Sequence, residues 1–183
     1  GAPLTPRERV DRFSEFLELF SRLLAEDHVS YSGAYYSAVD ARTLPGPVQQ
    51  PRPPLIVAAN GPRALRLAAR YGDGWATTGA YTPEDQEAWW RSVEEAADRF
   101  SAALSAAGRD GVDRYLNLDS SALYSLSSVG AFEDAIGRAA ALGFTDVLTH
   151  WPRASSWYAG SEKVLEKVAG LLPGLRETFA SRA

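Results

Sequence analysis

Apolar residues recur at helical spacing at Val10, Phe13, Leu17, Phe20 and Leu24, which predicts one amphipathic helix ending near Ala25. Thr5-Pro6-Arg7-Glu8 supplies its start: Thr5 can cap, Pro6 suits the first helical position, and Glu8 can return a bond to the cap. The period then breaks. His28 to Tyr36 mixes polar and aromatic residues around Gly33 and reads as a short hairpin or extended loop. Between Thr43 and Pro54, Pro45, Pro47, Pro51, Pro53 and Pro54 exclude a helix or central strand and predict a stiff extended connector. Residues 1–27 are thus a helix and 28–54 an excursion with a proline-rich connector.

From residue 55 to 183 the pattern alternates strand and helix in four βα units. Leu55-Ile56-Val57-Ala58-Ala59 is a continuous apolar run, expected of a strand buried on both faces. Asn60-Gly61-Pro62 ends it and opens a helix through Ala69. Gly72-Asp73-Gly74 turns the chain into a short strand, Trp75 to Thr78, ending at Gly79. Thr82-Pro83-Glu84-Asp85 starts a helix that runs to about Ala107. Tyr115 to Tyr124 is the third strand, interrupted by Asp119-Ser120-Ser121. A helix carrying Phe132, Ile136, Ala139 and Ala140 stops at Gly143, and Thr145 to His150 is the fourth strand. Two helical segments follow, about Ser161 to Leu171 and Leu175 to Phe179. Within the 82–107 helix, neighbours Trp89 and Trp90 point about 100° apart, so one is expected in the core and the other partly exposed. Arg63, Arg66 and Arg70 form a solvated stripe on an outer face.

Alternation of this kind implies an α/β fold with a parallel sheet and helical crossovers. Two architectures fit it, a small doubly wound sheet and four units of an eightfold barrel. Four strands alone do not close a barrel, whose interior layers need all eight.

The chain has 183 residues, a net charge of −4, and neither Cys nor Met. The absence of cysteine excludes disulfides, thiolate metal sites and a cysteine nucleophile, and fits a cytoplasmic protein. The acidic excess argues against nucleic acid as a partner, and no apolar run suggests a membrane span or a signal peptide. Two widely separated histidines, His28 and His150, present no metal-ligand spacing. No Gly-x-Ser-x-Gly elbow supports a hydrolase triad.

The chemistry that remains lies at strand ends. Ala59, Asn60 and Gly61 hand a strand over to a helix, where small residues and free N–H groups suit a phosphate; a plain βα turn is the alternative. Thr78 and Gly79 fall on the same edge, the side on which α/β proteins bind ligands. His150 and Arg153 could hold an anionic cofactor or substrate, against the plainer reading of a satisfied histidine and a surface arginine.

The stretch from Pro45 through Leu55-Ile-Val-Ala-Ala-Asn-Gly-Pro62 to Gly72-Asp-Gly-Trp75 resembles the bacterial luciferase-like monooxygenase superfamily. The Arg9-Val-Asp-Arg-Phe13 helix, the Tyr31-Ser-Gly-Ala-Tyr-Tyr36 excursion and Gly143-Phe-Thr-Asp-Val147 resemble it in the same order. The resemblance implies a TIM-type (β/α)8 barrel, incomplete here, with this chain supplying βα units 5 to 8 as one segment. Gly1 to Pro6 would then precede unit 5. It also implies an oxidoreductase that binds FMN or coenzyme F-420, the latter slightly preferred. Ala59, Asn60 and Gly61 would approach the cofactor phosphate, and Thr78 and Gly79 would close the pocket. The catalytic acid or base would lie outside this chain, leaving it inactive alone. The expected partners are a small-molecule substrate and either a second copy or the missing N-terminal half. The rival function is a non-catalytic half-barrel that self-associates through its exposed inner face.

Overall fold

The computed structural model describes residues 3–82 and 85–180. The expected family-like start at Gly1 and Ala2, and Pro83 and Glu84 of the 82–85 helix start, lie outside the described residues.

Helix α1 spans Pro6–Ala25 and carries the reciprocal cap its sequence predicts: Thr5 accepts from the Glu8 N–H, and Glu8 accepts from the Thr5 N–H at 2.7 Å. A bulged antiparallel hairpin follows, β1 (Val29–Ser32) and β2 (Ser37–Ala41), closed by the Gly33 N–H on the Tyr36 carbonyl. Gly33 is there because a Cβ would collide with the buried Glu15 carboxylate of α1. After the proline-rich connector come β3 (Ile56–Ala58), α2 (Pro62–Tyr71), β4 (Gly74–Thr77), α3 (Gln86–Ala106), β5 (Asp113–Asn117), α4 (Val129–Ala141), β6 (Asp146–Leu148) and α5 (Glu162–Ala180).

Strands β3 to β6 form one parallel sheet in sequence order, β3-β4-β5-β6. The order has no reversal. Consecutive crossovers of constant hand place their helices on one side, so the described sheet is wound once, as in a barrel, and lacks the switch point of a doubly wound sheet.

That winding corrects one expectation. The 55–59 run is not buried on both faces: Val57 is buried, while Ile56 is 52% exposed and Ala58 is open. Register puts Ile56, Ala58, Ala76, Tyr115 and Leu148 on the uncovered face, and Leu148 is 48% exposed. The covered face presents Val57, Trp75, Leu116 and Val147 to the helices.

Trp75 is the centre of this packing. Its indole is fully buried, stacks on Phe100 of α3 at 4.4 Å and on Phe144 before β6 at 5.7 Å, and donates to the Ala59 carbonyl at 2.8 Å. The turn before it is structural, as its context predicts: the Asp73 and Gly74 N–H groups bond the Leu55 carbonyl, and the Asp73 carboxylate accepts from the Leu55 N–H at 2.8 Å and from Arg52. Burial works against the Asp73 charge, yet the Leu55 N–H and the Arg52 guanidinium hold its carboxyl below the usual range.

Four element readings differ. The third strand ends at Asn117, because the Asn117 side chain accepts from the Asp119 N–H and turns the chain into two 3-10 turns, Leu118–Ser120 and Ser125–Ser127. The fourth strand is shorter than 145–150. Both Trp89 and Trp90 are buried, since Arg138 of α4 lies 4.6 Å over the Trp90 ring, anchored on Glu87. The two terminal segments are one helix through Pro173, with Val168, Leu172 and Leu175 packed against the core on either side of the proline.

Replacing Trp75 with Phe keeps a ring in the stack but orphans the Ala59 carbonyl, and is expected to cost about 1–3 kcal/mol. Trp75→Ala should cost about 3–5 kcal/mol. Urea unfolding of the two variants checks both the sizes and their order.

Candidate functional site

Parallel strands direct their carboxyl ends to one edge, and the residues that follow β3, β4, β5 and β6 meet there. After β3, Asn60 is held tightly: its Oδ1 accepts from the Thr77 hydroxyl at 2.6 Å, and its amide donates to Thr78 Oγ1 at 3.3 Å and the Gly79 carbonyl at 3.4 Å. Asn60 is therefore a brace between two strand ends, with its polar atoms engaged. Ala59 is buried, and its N–H and carbonyl are bonded to the Ala76 carbonyl and the Trp75 indole.

Gly61 is different. It caps α2 without any side-chain bond, and a Cβ built on it would meet nothing within 4 Å. Pro62 brings no N–H, and the first N–H that bonds within the helix is that of Leu65, to the Gly61 carbonyl. Among the described residues the Gly61, Arg63 and Ala64 N–H groups consequently have no hydrogen-bond partner, and they lie at the positive end of the helix dipole. The Arg63 side chain points elsewhere, paired with Asp11 of α1.

Gly79, at φ +64°, has a packing reason: a Cβ would strike the Trp89 ring nitrogen and Val93, each at 2.9 Å. Thr78 is exposed, and Trp89 donates to its carbonyl at 2.9 Å.

A cleft of about 440 Å³ opens between the β4 and β5 ends. Thr78 to Tyr81 form one wall, Asp119 to Ala122 the second, and Tyr124, Trp157 and Tyr158 the third. Behind its rim lies a polar knot around one buried carboxylate. The Asp119 side chain has no accessible surface. Its Oδ1 accepts from the Ser125 N–H at 3.0 Å, and its Oδ2 accepts from the Thr149 hydroxyl at 3.0 Å and from the His150 N–H, and faces His150 Nδ1 at 3.1 Å. Ser125 Oγ and Thr149 Oγ1 are 2.7 Å apart. The Tyr124 hydroxyl donates to the His150 carbonyl at 2.7 Å; burial first, then the nearby Asp119 charge, push this phenol up.

The structure thus gathers Asn60, Gly61, Thr78, Gly79 and His150 along one edge, and joins His150 to Asp119. Arg153 is exposed in the 151–160 loop, where its backbone pairs with Tyr158 and Gly160 and its side chain makes no hydrogen bond or ion pair with any described residue. Asp119, Tyr124 and Tyr158 were not expected at the site. Asp119-Ser120-Ser121, three polar residues inside an otherwise strand-like run, is the signal that marks the first. The Trp157-Tyr158 pair amid small residues, closed over Tyr124 by Gly160, marks the last.

A family profile described as luciferase-like monooxygenase matches residues 1–123. The chain is 34% identical over 113 residues to an F420-dependent glucose-6-phosphate dehydrogenase of Microbacterium testaceum, covering 61% of this chain and 31% of that protein. It is 34% identical over 106 residues to an F420-dependent hydroxymycolic acid dehydrogenase of Mycobacterium tuberculosis, covering 57% and 26%. An uncharacterized protein of Mycobacterium bovis is 30% identical over 171 residues, covering 92% and 54%. The chain therefore spans roughly a quarter to a half of these relatives' lengths. Among solved structures, an F420-dependent secondary alcohol dehydrogenase shares the fold with a TM-score of 0.65 at 16% identity, over 81% of this chain and 58% of that one. Monooxygenase RslO1 from Streptomyces bottropensis does so at 0.61 and 20%, over 93% and 63%.

Asp119→Ala leaves the Ser125 and part-buried His150 N–H groups without an acceptor and should cost roughly 2–6 kcal/mol at 1–3 per orphaned group. Thr149→Val removes a single donor and should cost about 1 kcal/mol. Chemical denaturation of both variants measures the difference.

Proposed function

The chain belongs to the luciferase-like monooxygenase family, and from that premise we propose that it is part of an oxidoreductase that binds coenzyme F-420 at the carboxyl edge of β3 to β6. FMN is the second candidate for the same place. The observation that carries the proposal is the uncapped start of α2: three free N–H groups, an unfilled space over Gly61, and the cleft on the neighbouring strand ends. An anionic phosphate fits such a donor set without a lysine or arginine. F-420 is favoured because curated relatives at 34% identity are F420-dependent by name.

In this reading Gly61 and the N–H groups of Arg63 and Ala64 hold the phosphate, and Asn60 keeps that loop in register with Thr78 and Gly79. Ala59 supports the loop from beneath. The cofactor supplies hydride chemistry when bound, or oxygen chemistry if it is FMN. The protein's part is to bind, orient and exclude water at the cleft, with Arg153 free to meet an anionic group on the substrate. The chain would be inactive alone, as βα units 5 to 8 of the barrel, and the intact protein would act in the cytoplasm on a small organic substrate.

A second reading is a non-catalytic half-barrel that pairs with another copy. The open sheet face, with Ile56 and Leu148 half exposed, favours it. Retention of a chromophore by the purified protein separates the two.

Gly61→Asp tests the first reading cleanly. Gly61 sits at φ −84°, and a side chain there meets nothing, so Asp is accommodated and caps α2, raising stability by a few tenths of a kcal/mol. The same carboxylate repels a phosphate, and F-420 affinity, read by fluorescence titration, should fall roughly tenfold or more. Unchanged affinity in a folded variant removes the phosphate assignment.

A further inference from the structure

The chain has two histidines, and each presents Nδ1 to an aspartate. The resemblance ends there. His28 sits on the hairpin with Asp40 at 2.6 Å and Asp27 at 3.6 Å, and both carboxylates are more than two-thirds exposed. That is a solvated surface pair. His150 faces a carboxylate with no accessible surface, already saturated on its other lone pairs by Ser125, Thr149 and its own backbone N–H.

An ionised carboxylate accepts only, so an Nδ1 held against it carries the hydrogen, and the imidazole lone pair is left on Nε2. The ring cannot swing away. Tyr158 stacks on it with centroids 4.1 Å apart and planes 3° from parallel, and the Tyr124 hydroxyl pins its carbonyl. Nε2 makes no hydrogen bond or ion pair with any described residue, and the side chain is 42% exposed. Two restraints on the ring, Asp119 and Tyr158, and one on its backbone leave Nε2 as the ring nitrogen without a partner among the described residues, just past the carboxyl end of β6.

The resemblance places the acid or base outside this chain; against that expectation we infer that in the intact protein His150 exchanges the proton that accompanies hydride transfer at this edge, with Asp119 as the positioning residue that fixes its tautomer. The inference rests on the deazaflavin reading for its hydride acceptor. The balance is simple. A hydroxyl-bearing substrate loses its C–H hydrogen with both electrons to the oxidised deazaflavin. The O–H proton goes to His150 Nε2, a C=O bond forms, and the imidazolium returns the proton to solvent through its open side. The Asp119 carboxylate, against Nδ1, stabilises the imidazolium.

Nitrogen-15 NMR of the histidine rings in the free protein tests the geometry, with His150→Gln assigning the two signals. At about pH 9, where imidazole is ordinarily neutral, His150 should be the Nδ1–H form alone. In Asp119→Asn, whose neutral amide oxygen is the weaker acceptor, that preference should be reduced, while the His28 signals stay put. An Nε2–H form or an even mixture at His150 in the wild type overturns the inference, whatever the protein binds.

The chemistry is tested in the intact protein, of whose barrel this chain would be βα units 5 to 8, with oxidised F-420 and two hydride donors, 2-propanol and glucose 6-phosphate. His150→Gln should bind F-420 within about twofold of wild type and reduce it roughly 100-fold more slowly. Added imidazole should restore part of the rate to His150→Ala. Equal rates in wild type and His150→Gln, or F-420 bound but reduced by neither donor, overturn the role of His150. Failure of wild type to bind F-420 overturns the cofactor reading and the role that rests on it, and the ring NMR still reports whether Asp119 sets the tautomer.

Discussion

The indole of Trp75 is the contact on which the rest of the structure depends. One side chain closes the β3 end through the Ala59 carbonyl, receives Phe100 from α3, and meets Phe144 at the entry to β6. Aromatic burial of this size is among the largest single contributions a core residue makes. Here it also sets position, because the bonded carbonyl lies one residue before Asn60. The strand that carries the buried ring therefore fixes the loop that opens α2.

From that anchor the strand ends are fixed by polar rather than apolar contacts. Asn60 spends its amide on Thr77, Thr78 and Gly79, which ties the β3 and β4 ends together. Asp119 spends its carboxylate on Ser125, Thr149 and His150, which ties β5 to β6. Two braces, one neutral and one charged, leave the cleft between them. Saturated polar groups of this kind rigidify a site at little net cost, whereas a buried one left half-satisfied, as Asp119 would be, is expensive. What stays unsatisfied is then informative: the α2 N–H groups and His150 Nε2 are the uncommitted polar atoms of this edge on which the functional reading rests.

Much of this was legible along the chain. The Thr5–Glu8 cap, the 55–62 strand-to-helix passage and the Gly72-Asp73-Gly74 turn follow from local chemistry, and the structure forms each of them. Asn60, Gly61, Thr78, Gly79 and His150 could be placed on one edge because parallel strands share a direction. Long-range events were not legible. Nothing near Trp90 announces that Arg138, 48 residues later, covers it. The 55–59 run looks two-sided because the sequence reports hydrophobicity and not which face the crossovers cover. Asp119 stayed hidden inside an apparent strand because a turn made by the Asn117 side chain has no period to detect.

The central claim is that the free N–H groups at the start of α2 receive the cofactor phosphate. Amide NMR of the protein titrated with oxidised F-420 tests it most directly. The account predicts saturable shifts at the Gly61, Arg63 and Ala64 amides, with smaller ones at Thr78 and Gly79. Saturable binding that leaves those three amides unmoved would contradict it.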